Sequence, residues 1–137
     1  MNEAPQLPLE GGCLCGQVRY RIHRTGEAFW CHCSMCRLAS GAAAEPWVSV
    51  ERSDFEIIRG TLRHFASSQG VSRGFCWACG SPIVFDMASE TAIDITIGTL
   101  DAPDAVSPTH HIWVASALDM SEGLGEDLPR YSAERIV

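Results

Sequence analysis

Residues 11–20 read GGCLCGQVRY. Two thiols one residue apart, Cys13 and Cys15, lead into an alternation that runs from residue 17 to residue 23. Val18, Tyr20 and Ile22 are apolar, and Arg19, Arg21 and His23 are polar. That period predicts a half-buried strand. Thiols at the mouth of a strand predict a small β domain pinned by metal.

The same pattern continues outward. Residues 47–50 suit a second strand. Residues 55–58 and 61–65 flank Arg59 and Gly60 and are expected to form a hairpin. Residues 82–86 follow Gly80 as a short strand. Ile93, Ile95 and Ile97 alternate with Asp94 and Thr96, the clearest strand signal in the chain. Residues 110–115 form a further strand candidate behind Pro108. Residues 34–40, SMCRLAS, suit a short helical turn. No long helical period and no internal repeat is visible, so the expected fold is mainly β and antiparallel. Residues 1–10 are expected to be a loose leader, and residues 11–137 a single domain.

Composition narrows the function classes. The 137 residues are 46% hydrophobic and 20% charged, with a formal net charge of -7. Such a surface repels nucleic acid, so no nucleic-acid partner is expected. All ten basic residues are Arg, which we read as compositional bias. No stretch approaches the ~18 apolar residues of a membrane span. The opening MNEAPQLPLEGG is polar and Pro-rich, without the marks of an export signal. The expected compartment is the cytoplasm, where thiols stay reduced.

Seven cysteines therefore need an account: Cys13, Cys15, Cys31, Cys33, Cys36, Cys76 and Cys79. An odd number cannot pair completely within one chain. Neighbours two apart in a strand face opposite ways, which disfavours local disulfides. Metal is the better reading. Cys-x2-Cys followed by Gly80 has the shape of a zinc knuckle, with glycine free to take a positive φ. Zinc takes four ligands in structural sites, and three with an open position in catalytic ones. Seven thiols divide as four and three. Spacing alone leaves the partition open. Cys33 and Cys36 could join Cys76 and Cys79 as a ribbon. Alternatively Cys13 and Cys15 join Cys76 and Cys79, and Cys31, Cys33 and Cys36 stay together.

GGCLCGQVRY (11–20), CHCSMCRLASG (31–41) and GFCWACGSPI (74–83) resemble the glutathione-dependent formaldehyde-activating enzyme family, which includes centromere protein V. The likeness runs on through Trp47, residues 60–65, Arg73 and PTHHIW (108–113) to DLPRY (127–131). One departure is Leu118-Asp119-Met120, where many members carry a Trp. The resemblance implies a zinc-bearing fold of the β-tent type. It implies a structural zinc on Cys13, Cys15, Cys76 and Cys79, and a catalytic-type zinc on Cys31, Cys33 and Cys36, two per chain. It also implies a carbon–sulfur lyase activity of the S-(hydroxymethyl)glutathione synthase type, in which a thiol such as glutathione adds to formaldehyde or another small aldehyde.

Zinc on three thiolates suits activation of a further, external thiol. Arg37 or Arg73 could clamp the glutathione carboxylates. No acid or base stands out beside the second cluster. The competing reading is a zinc-stabilised binding module without chemistry, and a third is metal or redox sensing. His32, flanked by ligands, is expected to point away from the metal. His64, His110 and His111 are expected in surface or core roles, and the four Trp mostly in the core, with Trp30 and Trp77 placed to wall the site. The acidic run 122–127 reads as solvated surface.

Overall fold

The computed structural model describes residues 6–135; the first five residues of the expected leader lie outside that range. The chain is mainly β, in two sheets. The smaller sheet orders β1 (Leu9–Gly12), β2 (Arg19–Ile22) and β5 (Phe55–Arg59) as β1-β2-β5. The larger contains β3 (Ala28–Cys31), β4 (Glu45–Glu51), β6 (Leu62–Ser68), β7 (Val71–Cys76), β8 (Pro82–Met87), β9 (Ala92–Thr96) and β10 (His110–Ile112). Its order is β10-β3-β4-β9-β8-β7-β6, antiparallel except for the β10–β3 pair. Among the described residues one α-helix, α1 (Ser34–Ser40), leaves β3 through the second cysteine cluster and ends on Gly41 in the left-handed region.

Alternation along the strands decides what each face of the large sheet does. Val48 and Val50 of β4, with Ile93 and Ile95 of β9, pack into the main core against Val18, Tyr20 and Ile22. Those last three side chains are wholly buried, as the 17–23 alternation predicts. The opposite positions, Glu45, Trp47 and Ser49, carry β4's other face. There Trp47 joins Phe29, Cys31 and Cys36 in a second, smaller apolar cluster. The second cysteine group thus lies outside the main core, on the far side of the sheet.

The hairpin expected around Gly60 does not form. Residues 55–59 pair with β2, while residues 62–68 pair with β7 in the other sheet. Phe55 and Ile57 turn into the main core, where the Phe55 ring lies 5.4 Å from that of Tyr20. Gly60 is the corner between the sheets. It has φ 74°, and a Cβ there would come within 2.1 Å of the Gln17 carbonyl oxygen. A glycine turn between two apolar runs marks a change of direction; it does not by itself name the partner of either run. The first strand also opens at Leu9, which is buried, and the Glu10 carboxylate accepts from Arg21 at 2.9 Å. Strand pairing therefore reaches into the last two residues of the expected leader.

Candidate functional site

The two cysteine motifs that are farthest apart in sequence converge. At the first, the turn after Cys13 closes with a Gly16 N–H to Cys13 carbonyl bond of 3.2 Å, and Gly16 takes φ 80°. At the second, Gly80 donates to the Cys76 carbonyl at 2.9 Å, again with φ 80°. A side chain at either glycine would be strained there, which explains the glycine after each pair. Backbone amides serve the sulfurs directly. Val18 N–H donates to Cys13 Sγ at 3.2 Å, and the amides of Ala78 and Cys79 donate to Cys76 Sγ at 3.3 and 3.4 Å. Ser81 joins the two turns, accepting from the Leu14 amide at 3.0 Å and lying 3.1 Å from Cys79 Sγ. Hydrogen bonds from Ser81 pull the Cys79 thiol down to about 5.

The four sulfurs all lie within 4.8 Å of one another. Cys13 and Cys15 are 3.6 Å apart, and Cys15 and Cys76 3.8 Å. A tetrahedral zinc with bonds of ~2.3 Å holds its sulfurs about 3.8 Å apart, so the cage fits that ion. Geometry therefore groups Cys13 and Cys15 with Cys76 and Cys79, the interleaved partition, and not the ribbon. Among the described residues these four alone close to that mutual distance.

The second group is more open. Cys31 ends β3, Cys33 caps α1, and Cys36 is the buried residue of that helix. Cys31 Sγ and Cys36 Sγ are 3.6 Å apart, while Cys33 is only half-buried and does not complete a cage with them. Arg73 directs both terminal nitrogens at Cys36 Sγ, each at 3.6 Å, and its Cζ lies over the Phe85 ring, 5.0 Å from the centroid. The Cys31 thiol hydrogen bond, with Arg73 behind it, brings Cys36 down to about 6, and Cys31 is pushed up in exchange. A sulfur held as thiolate beside a guanidinium is a ready metal ligand or nucleophile.

Cys36 opens on a cavity of about 410 Å³. Met35, Leu38, Trp47, Phe65 and Phe75 give it apolar walls, and Glu45, Ser67 and Arg73 are among its polar groups. Arg73 therefore stands where the sequence placed a substrate contact, whereas Arg37 is not on the cavity wall. His32 turns its Nε2 to His111 Nδ1 at 2.9 Å. His110 stacks on Phe29 with centroids 5.7 Å apart, and His64 is exposed. Trp47 is buried beside the site, but Trp77 and Trp113 are exposed and belong to no core. Residues 118–120 do not line the cavity.

Two carboxyls near this site escaped the sequence reading. Glu45 is buried at the cavity wall, paired in register with Cys31, and burial raises its proton affinity against the pull of Ser40 and Arg73. Asp94 follows in a cross-strand row of Ser49, Asp94, Phe85, Arg73 and Phe65. Burial pushes Asp94 up to about 6 from an ordinary 3.8. The signal was present in the alternation: both acids sit out of phase with apolar residues of a central strand, on the face that carries Trp47.

Asp94 yields a pH prediction. The folded chain holds this proton more tightly than the unfolded one. Stability therefore falls as pH rises from 3.8 to about 6, and stays lower above. The full shift corresponds to at most ~3 kcal/mol. Asp94→Asn, which stays neutral, is expected to gain stability over the parent between about pH 5 and about pH 8. Urea unfolding of both proteins at those two values measures it; an unchanged difference between them would remove the buried acid from the account.

Fold and site together define a small two-sheet β protein with one closed four-cysteine cage and one open three-cysteine group beside a cavity. The chain belongs to the glutathione-dependent formaldehyde-activating enzyme family, whose model matches residues 8–116. Among solved structures it is similar to a Rhodobacter sphaeroides protein determined by structural genomics. That likeness has a TM-score of 0.61 and 22% identity over 74% of this chain and 98% of the other, and it supports the shared fold. No curated protein gives a significant sequence match.

Proposed function

We propose that this protein adds a thiol, glutathione or a close analogue, to formaldehyde or another small aldehyde, giving an S-hydroxymethyl thiol. Family membership supports this reading. The observation that carries it is Cys36, adjacent to Cys31 and Arg73, opening onto a cavity that includes an acidic residue. We assign a structural zinc to Cys13, Cys15, Cys76 and Cys79, and a second to Cys31, Cys33 and Cys36. At the second position zinc would supply a site that holds an external sulfur as thiolate.

The chain's own groups then do the rest. Arg73 fixes the orientation of Cys36 and stands beside the space where a carbonyl oxygen gains charge as the carbon–sulfur bond forms. Glu45, the one acidic side chain on the cavity wall, is placed to exchange a proton with that oxygen. Trp47 and Phe85 pack apolar surface against the cysteine cluster. No helix among the described residues is long and apolar enough to cross a membrane. We further propose a cytoplasmic protein with one domain over residues 11–137.

Titrating glutathione into cobalt-loaded protein tests this directly. A saturable change in the thiolate-to-cobalt band, together with adduct formation faster than the uncatalysed addition, is the expected result. An unchanged spectrum and an uncatalysed rate would leave the second reading, a zinc-stabilised binding module. That reading draws on the exposed apolar tips of the knuckles, Leu14 and Trp77.

A further inference from the structure

The cavity beside Cys36 is larger and more apolar than a one-carbon aldehyde requires. Formaldehyde has no substituent to meet Met35, Leu38, Phe65 or Phe75, which form much of the wall. Phe65 and Leu38 are 63% and 77% exposed, an unfavourable state for such side chains that a bound apolar group would relieve. The body of glutathione does not suit the space. It brings two carboxylates and an ammonium, whereas Arg73 is the one basic residue lining the cavity, is already turned to Cys36, and faces the same space as Glu45. Burying unmatched charges is costly. The polar side chains that line the wall are few, with Arg73, Ser67 and Glu45 chief among them. That is enough for one neutral oxygen.

We propose that the carbonyl substrate is an aldehyde with an apolar body seated among Met35, Leu38, Phe65 and Phe75, its oxygen turned toward Arg73 and Ser67. The proposal rests on the thiol-addition reading and names its substrate class. The carbon–sulfur bond forms, the carbonyl π pair moves to oxygen, and the thiol's proton ends on that oxygen; nothing is oxidised or reduced. Glutathione contributes its sulfur from the cavity mouth, with its charged groups outside.

The test compares formaldehyde, butanal and hexanal as partners of glutathione with the metal-loaded protein. Between butanal and hexanal, whose carbonyls are equally reactive, apolar burial predicts kcat/KM rising roughly four-fold per methylene. Phe65→Ala and Leu38→Ala, at exposed positions that the fold does not depend on, should each lower the hexanal-to-formaldehyde ratio. For Phe65 the drop is about ten-fold or more. A flat series, or a ratio unmoved in both variants, overturns the proposal. Calorimetric titration with 1-hexanol, which has no carbonyl, separates the two claims. Saturable binding weakened by Phe65→Ala supports the apolar site, and absence of binding overturns it even where formaldehyde reacts. Hexanol binding without adduct from any aldehyde supports the site and overturns the thiol-addition reading.

Discussion

Replacing Cys76 with Ser unfolds this protein. Cys76 has no exposed surface, accepts two backbone amides and lies 3.8 Å from Cys15. It ends β7 and belongs to the main core, so its sulfur ties the large sheet to the loop between β1 and β2. Structural zinc contributes about 10–16 kcal/mol of apparent binding energy in small metal-folded domains. A domain of this size retains only ~5–15 kcal/mol of net stability. On the proposed structural zinc, losing one of the four sulfurs opens the cage and forfeits a large share of that energy, enough to exceed the net stability of the fold. The serine also leaves a buried hydroxyl among donors arranged for sulfur. Loss of the native circular dichroism spectrum at room temperature is the expected readout, and a strong chelator should produce the same loss in the parent. A variant that melts within a few degrees of the parent would show that the cage does not hold the fold.

Cys36→Ser has a different outcome: the fold survives and activity falls to the uncatalysed rate. Cys36 packs in the smaller cluster with Phe29, Cys31 and Trp47, away from the core between the sheets. Apart from what the second ion itself contributes at this cluster outside the main core, a buried hydroxyl in place of the thiol costs about 1–3 kcal/mol, on a site that Arg73 and Cys31 still line. The hydroxyl's cost lowers Tm by roughly 3–15 °C and leaves a folded protein. Function does not tolerate it, because the same sulfur is the partner of Cys31, the target of Arg73 and, on the proposed reading, a zinc ligand. Thermal melting and adduct formation measured on one preparation check both halves. Full activity in a folded Cys36→Ser protein would remove the second cluster from the chemistry.

Much of this was legible because strand alternation is a local property. Val18, Tyr20 and Ile22, and likewise Ile93 and Ile95, show their buried face in a few residues of sequence, and SMCRLAS folds as the short helix expected of it. What stayed hidden was partnership. Nothing local tells residues 55–59 to pair with β2 rather than with residues 62–68, because that choice depends on where Phe55 and Ile57 find apolar surface. The cysteine partition was ambiguous for the same reason: spacing states which thiols are near in sequence, whereas the cage joins turns at Gly16 and Gly80 that only the folded sheets bring together. Glu45 and Asp94 were overlooked because an acid in a strand suggests a solvated face. Here that face is covered in part by α1 and the Trp47 cluster.

The central claim is that seven thiols serve two ions, four on one and three on the other. Native mass spectrometry of the purified chain measures it most directly, with rapid thiol alkylation of the same sample. Two zinc ions per chain are expected in the parent and one in Cys36→Ser, with slow alkylation throughout the parent. A single zinc per chain, with Cys31, Cys33 and Cys36 all alkylated rapidly, would contradict it.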